Sequence, residues 1–251
     1  LYAAAGRRMI EGLLRVAERD GQDLYFPEGY YRRGGWRTRD RRIFSGIAEY
    51  NAALVVAVVR FHRACGYAPA LELAEGLARF ALRRGDGYRP DGSLDCPAPG
   101  SLADHYHTRS NFILGVLELG LVSGRSEYVA WARQSFERAR EYGSGFGWFP
   151  EGLGHRHGEI CCTTDMLEIA LNLGLHVDPL FLADAERIGR NHLLESQFLS
   201  LDRLRAAVER LPEESVDTDP ALSRVDGVTE SQLGGFAARS TLNDAFHLDA
   251  T

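Results

Sequence analysis

Asn111-Phe112-Ile113-Leu114-Gly115-Val116-Leu117-Glu118-Leu119-Gly120-Leu121-Val122, then Ser123-Gly124-Arg125-Ser126, then Glu127 to Glu141: this stretch decides the fold. The first twelve residues read as a helix. The polar, glycine-bearing tetrapeptide is a turn. Glu127 to Glu141 then runs back as a second helix, with Trp131 and Phe136 inward. The unit is a helical hairpin, and it recurs on both sides. Upstream, Ser45 to Cys65 is a helix with Ile47, Leu54, Val55, Val58 and Phe61 apolar. Gly66-Tyr67-Ala68-Pro69 turns the chain, Pro69 suits a helix start, and Ala70 to Arg84 returns with Leu71, Leu73, Leu77 and Phe80 inward. Downstream, Asp165 to Leu173 and Pro179 to Phe198 make a third pair. Asp165 reads as the cap of its helix, with Glu168 three residues on as in a capping box.

Leu1 to Arg19 adds an amphipathic helix closed by Asp20-Gly21, and Leu201 to Leu211 a last one. Hairpins thus recur about every 55–60 residues, as in stacked helix pairs. No strand runs stand out beyond short loop segments. The expected architecture is all-α, one domain over 1–251 built of hairpins. Its long loops, 20–44, 85–104, 142–164 and 212–251, are where function concentrates.

Composition narrows the function classes. The 251 residues are 45% hydrophobic and 25% charged, the range of an ordinary globular protein. The net charge of −6 supplies no basic field to gather phosphates, so no nucleic-acid partner is expected. The one basic cluster, six arginines from Arg32 to Arg42 around Trp36, fits a surface or carboxylate-binding loop better. No apolar run reaches the roughly 18 residues needed to span a membrane, so no membrane partner is expected. Four cysteines, two of them adjacent, are no disulfide framework for this length. Reduced thiols and a cytoplasmic setting fit best. The chain begins at Leu1 rather than Met, so a removed leader stays open. Homo-oligomers stay open as well. Gly143 to Gly154 is glycine-rich but has no strand before it, so it is no nucleotide loop.

Chemistry concentrates in Gly154-His155-Arg156-His157-Gly158-Glu159-Ile160-Cys161-Cys162. His155, His157, Glu159 and Cys161 alternate with other residues, and an extended chain puts all four on one side. Imidazole, carboxylate and thiolate together suit a borderline-soft ion, and Zn2+ fits best. The plainer alternative is solvated histidines beside two buried thiols. Cys162 is adjacent to Cys161, so both cannot point one way along an extended arm unless a helix begins at 162. His105 and His107 likewise share a side if extended.

Ala103-Asp104-His105-Tyr106-His107-Thr108, Gly147-Trp148-Phe149-Pro150-Glu151, and Glu159-Ile160-Cys161 with Asp165-Met166-Leu167 together resemble the β-L-arabinofuranosidase-like glycoside hydrolases and their uncharacterised relatives. Arg190 to Gln197 and Gly234-Gly235-Phe236-Ala237 look like later segments of the same relatives. The likeness covers about residues 45 to 245 and is best over 103–198.

The resemblance implies an (α/α) toroid of six hairpins around a sugar pocket, with zinc held by a Glu-x-Cys motif and two adjacent cysteines later in the chain. One late cysteine is the family's nucleophile, and a glutamate is its acid/base. Glu159 and Cys161 match the Glu-x-Cys positions. Glu151, in the loop just before, is the candidate acid/base. The late Cys-Cys pair is absent from this sequence. Six hairpins need roughly 330–360 residues at this repeat, so the expected ring is incomplete. Cys162, His155 and His157 are extra to the motif and are candidates to complete the metal shell.

The expectation is therefore a zinc-dependent glycoside hydrolase acting on a small sugar glycoside by a thiolate/carboxylate mechanism. Its catalytic residues are Glu151, Glu159 and Cys161. Its metal ligands come from Glu159, Cys161, Cys162, His155 and His157. His105, His107, Arg109 and Trp148 grip hydroxyls and stack on the sugar. The alternatives are a non-catalytic carbohydrate- or protein-binding toroid with structural zinc, or an epimerase or lyase on the same fold.

Overall fold

A helix that is apolar on every face has to be covered on every side. Such a helix is α4, Tyr106–Ser123, in which Phe112, Ile113, Leu114, Val116, Leu117 and Leu119 are all buried. In the computed structural model, which describes residues 2–27, 30–32, 35–37, 48–84, 89, 91–93, 105–152, 154–209 and 228–244, three helices cover it. They are α2 (Ala48–Cys65), α5 (Ser126–Ala139) and α6 (Ile160–His176). α3 (Ala68–Arg84) returns along α2, and α7 (Phe181–Ile188) along α6. The three expected hairpins therefore stand as α2–α3, α4–α5 and α6–α7. Their first helices, α2, α4 and α6, lie side by side with α4 in the middle. The chain is mainly helical.

The turns follow from local chemistry. Gly124 closes α4 in the left-handed region (φ 68°), with its N–H on Gly120 O, a conformation glycine adopts without strain. One charge crosses the first-helix layer. Glu118 on α4 is 2% exposed and accepts from Arg60 Nε at 3.0 Å, Arg60 Nη2 at 2.7 Å and Arg63 Nη1 at 3.3 Å. Arg60 also pairs with Glu168 on α6. Glu168, expected in a capping box, instead helps tie α6 to α2.

Boundaries differ from the sequence reading where tertiary contacts extend or cut an element. α1 is Tyr2–Val16, and the chain then forms a hairpin of β1 (Glu18–Asp20) and β2 (Asp23–Tyr25). Buried Asp23 fixes that hairpin to α3 through Arg79 Nε at 3.3 Å and Arg83 Nε at 2.5 Å. A second small hairpin pairs β3 (Tyr30–Arg32) with β4 (Gly35–Arg37). α4 starts five residues earlier than expected. Tyr106 anchors it, its N–H on Glu151 O at 2.6 Å and its hydroxyl on Ala139 O at 2.9 Å.

α6 also starts five residues early, at Ile160 rather than Asp165. α7 ends at Ile188, where a π turn (Gly189–Leu193) and a 3-10 turn (Leu194–Ser196) take over. α8 (Asp202–Val208) and the short α9 (Val228–Ser231) follow, and then β6 (Arg239–Thr241). Of the arginine cluster, Arg33, Arg39, Arg41 and Arg42 lie outside the described residues, as do Ala103 and Asp104, so loops 20–44, 85–104 and 212–251 are described only in part. Among the described residues no helix is long and apolar enough to cross a membrane.

Phe112 is fully buried and meets the Trp131 ring edge-on at 5.7 Å. Replacing a buried phenylalanine by alanine removes apolar contact and leaves a cavity. Phe112→Ala is expected to lower stability by about 3–5 kcal/mol in urea unfolding, through a lower midpoint at unchanged slope.

Candidate metal centre

The start of α6 is reached from a strand, β5 (His157–Glu159), which pairs antiparallel with β6. Gly158 faces Ser240, Glu159 faces Arg239, and the Ile160 N–H donates to Ala238 O at 2.9 Å. The ladder carries the chain directly into the helix. On β5, His157 and Glu159 share one side and Gly158 takes the other. That other side lies against Trp148 and Phe149, where a Cβ on Gly158 would stand 2.1 Å from Phe149 O. Only glycine permits this approach.

Trp148 lies beneath the ladder, 4% exposed, with Nε1 donating to Ser240 Oγ at 3.1 Å. Ser240 Oγ also bonds His192 Nε2 at 2.8 Å, and His192 Nδ1 bonds Thr163 Oγ1 at 2.7 Å. Burial holds the His192 imidazole neutral, its pKa pushed down to about 4.

Two carboxylates face the opposite side. Glu159 Oε2 is 3.0 Å from His105 Nε2 and 3.5 Å from Cys161 Sγ. Glu151 Oε2 pairs with His157 Nε2 and lies 3.8 Å from His155 Nδ1. Arg239 reaches both carboxylates, with Nη2 3.6 Å from Glu151 Oε1 and 3.9 Å from Glu159 Oε1. One ligating atom each from His105, Glu151 and Glu159 falls within 4.8 Å of the others.

The first turns of α4 and α6 add a thiol–imidazole–carboxylate chain. Asp165 Oδ2 accepts from Ser110 Oγ at 2.7 Å and bonds His107 Nδ1 at 2.8 Å. His107 also hydrogen-bonds Cys161. Asp165 first, and Cys161 second, raise the His107 pKa to about 10. The bond from Cys162, and then His107, pull Cys161 down to about 6 against its burial. Cys162 is pushed up, by its bond to Cys161 and by burial. The two adjacent thiols are thus pushed in opposite directions, Cys161 down and Cys162 up. The Cys161–Glu159 contact is a donation only while Cys161 is protonated.

The fold gathers Glu151, Glu159, Cys161, Cys162, His105, His107, His155 and His157 at one end of α4 and α6, but not as one metal shell. Glu159, Cys161 and Cys162 offer ligating atoms within 4.8 Å of one another, and Glu151, His155 and His157 form a separate group. The reason is that the α6 helix begins at 160, so the alternation that aligns His155, His157 and Glu159 stops before Cys161. Three expectations are corrected. Trp148 is no open sugar platform, because Gly158 lets β5 close over it. Arg109, 4% exposed within α4, presents no free surface to a ligand. Asp165 does not cap α6 but lies buried inside it, 7% exposed, against His107.

Sequence reasoning missed Asp165 as a partner, together with Arg239 and the His192–Ser240 pair. Asp165 was findable, since it lies four residues from Cys161 and shares its helix face once the helix starts at 160. Arg239 and Ser240 carry no local signal. A carboxylate with two sulfurs is a donor set that suits zinc, and three protein ligands with one open position is the catalytic pattern. Cys162 would give up its proton on metal binding. A cavity of about 400 Å³ elsewhere shares only Phe149 with the Trp148–Glu151 segment. Its arginines, Arg140 and Arg187, both pair with Asp184.

No protein family, no curated protein and no solved structure matches the chain.

His192 gives a pH test of the scaffold beneath the site. In the folded chain its pKa is down at about 4, against 6.5 for the free group. Below pH 6.5 the unfolded chain therefore binds a proton that the folded chain refuses, and stability falls as pH drops through this window. The loss approaches about 3 kcal/mol near pH 4. Wild type is expected to lose that much relative to His192→Gln in denaturant unfolding between pH 7 and 4, whereas parallel curves would show that His192 does not titrate this way.

Proposed function

We propose that the chain is a zinc-dependent glycoside hydrolase acting on a small sugar glycoside of the arabinofuranoside type, built on part of an (α/α) toroid. The observation that carries the reading is the convergence of Glu151, Glu159 and Cys161 where α4 and α6 begin side by side. Glycoside cleavage needs an acid on the departing oxygen and a nucleophile at the anomeric carbon. Carboxylates and a thiol here supply both. Three hairpins with adjacent first helices are what half of a six-hairpin ring requires, and they support the toroid reading.

Glu159, Cys161 and Cys162 would hold zinc, which keeps a thiol deprotonated at neutral pH and withdraws electron density toward itself. Glu151 gives its proton to the glycosidic oxygen. Cys161 Sγ bonds the anomeric carbon as the carbon–oxygen bond breaks. A water molecule then displaces the sulfur and returns its proton to Glu151. His105 and His107 orient sugar hydroxyls, and Arg239 holds the two carboxylates close together. Two successive displacements at the anomeric carbon, by Cys161 and then by water, give net retention.

A second reading has its own support. His107 bonds both Cys161 and Asp165, the arrangement that activates a thiol without a metal. Chelation separates the two, because a metal-free thiol enzyme keeps its turnover.

The expected results are one tightly held zinc per chain and hydrolysis of aryl arabinofuranosides with the anomer retained in the first product seen by NMR. Glu151→Gln should reduce turnover about 10²–10⁴-fold. Zinc-loaded wild type as inert as Glu151→Gln overturns the hydrolase reading, and an inverted first product overturns the Cys161 nucleophile.

A further inference from the structure

The segment from Glu151 to His157 has its own geometry, separate from the thiols. It is a closed loop. The Glu151 N–H donates to His157 O at 3.0 Å, and the His155 N–H donates to Gly152 O at 3.0 Å. Gly154 turns the chain at φ 80°. Gly152 is further held by its bridge to His105. From this loop the His155 and His157 rings come to 5.3 Å, tilted by 42°. Both approach the same carboxylate oxygen, Glu151 Oε2. Arg239 takes the other oxygen, Oε1.

One nitrogen from each ring and a carboxylate oxygen lie within 4.8 Å of one another. The three side chains are 17–35% exposed, so an ion has a route in from solvent. Two imidazoles and one carboxylate form a recurrent donor set for divalent transition ions, and it leaves coordination positions open. It contains no sulfur, so it is chemically distinct from Glu159, Cys161 and Cys162. The backbone bonds hold the loop in shape before any ion arrives, which reduces the ordering cost of binding.

We infer that Glu151, His155 and His157 form a second site, for a borderline divalent cation such as zinc, cobalt(II) or nickel(II). Its affinity is lower than that of the thiolate site. Arg239 lies beside it, and an oxygen of Glu151 comes within 4.8 Å of one of Glu159, so zinc held by Glu159 at the thiolate site would add a second positive charge close to an ion here. The consequence for chemistry rests on the hydrolase reading. An ion on Oε2 takes Glu151 out of proton transfer, so the second equivalent of metal opposes the function that the first supports.

The test is a titration of the metal-free full chain with cobalt(II), followed by calorimetry and absorption. Two equivalents are expected. The first carries sulfur-to-cobalt charge-transfer absorption, and the weaker second carries none. His155→Ala/His157→Ala should lose the second equivalent and keep the sulfur band. Glu159→Gln/Cys161→Ser should weaken the sulfur band and keep the sulfur-free equivalent. Circular dichroism confirms folding of each variant, and His155→Gln and His157→Gln singly serve where the double variant unfolds.

A single equivalent with the sulfur band in wild type overturns the inference. So does a second equivalent that survives loss of both imidazoles. A sulfur-free equivalent without any sulfur band supports this second site and defeats the zinc reading of the first.

Discussion

The structure depends on covering α4. From Phe112 to Leu119 it carries buried apolar side chains around the whole circumference, and each one left in water would forgo about 1.5–3 kcal/mol of burial. No single neighbour can cover such a helix. α2, α5 and α6 close around it, which makes α4 the middle of a layer of first helices. Within that layer the acid of Glu118 is tolerated because two arginines of α2 reach it. Arg60 extends the pairing to Glu168 on α6, so the network also sets how α2, α4 and α6 lie against one another.

Packing α4 against α6 has a chemical result. The first turns of the two helices come together, so His107 on one meets Cys161 and Asp165 on the other. None of the three is unusual alone. Together they form a line of groups in which Asp165 raises the imidazole pKa, and the bond from Cys162, with the imidazole after it, lowers that of the Cys161 sulfur. The neighbouring Cys162, buried in the core, is pushed the other way. Burial and pairing push two adjacent thiols in opposite directions, a division of roles typical of functional sites.

The β5–β6 ladder supplies the other half of the site. Three residue pairs suffice, because Gly158 allows β5 to lie flat on Trp148 and Phe149, and the Trp148–Ser240–His192–Thr163 chain satisfies the polar atoms beneath. The upper side of the ladder then presents Glu159 and Arg239 together, with Glu151 brought in by the backbone of His157. Carboxylates, imidazoles and a guanidinium share a small volume without a buried unpaired charge.

Much of this was legible in the chain. The apolar run of Asn111 to Val122, its glycine turn and its return helix state a mainly helical fold, because helix periodicity and turn chemistry are local, whereas the short strands β1 to β6 were not read. The same holds for the ligand-rich stretch from His155 to Cys162, since residue type and spacing are read directly. What the sequence could not set was which of those groups meet. That depended on where the strand ends and α6 begins, and the pairing with β6, some eighty residues later, decided it. Arg239, Ser240 and His192 enter the site only through that pairing. The same event buried Trp148 and drew His155 and His157 to Glu151 instead of Cys161. Local sequence determines which elements form. Contacts between distant segments, each fixed by burial and by hydrogen bonds to satisfy, decide which side chains face one another.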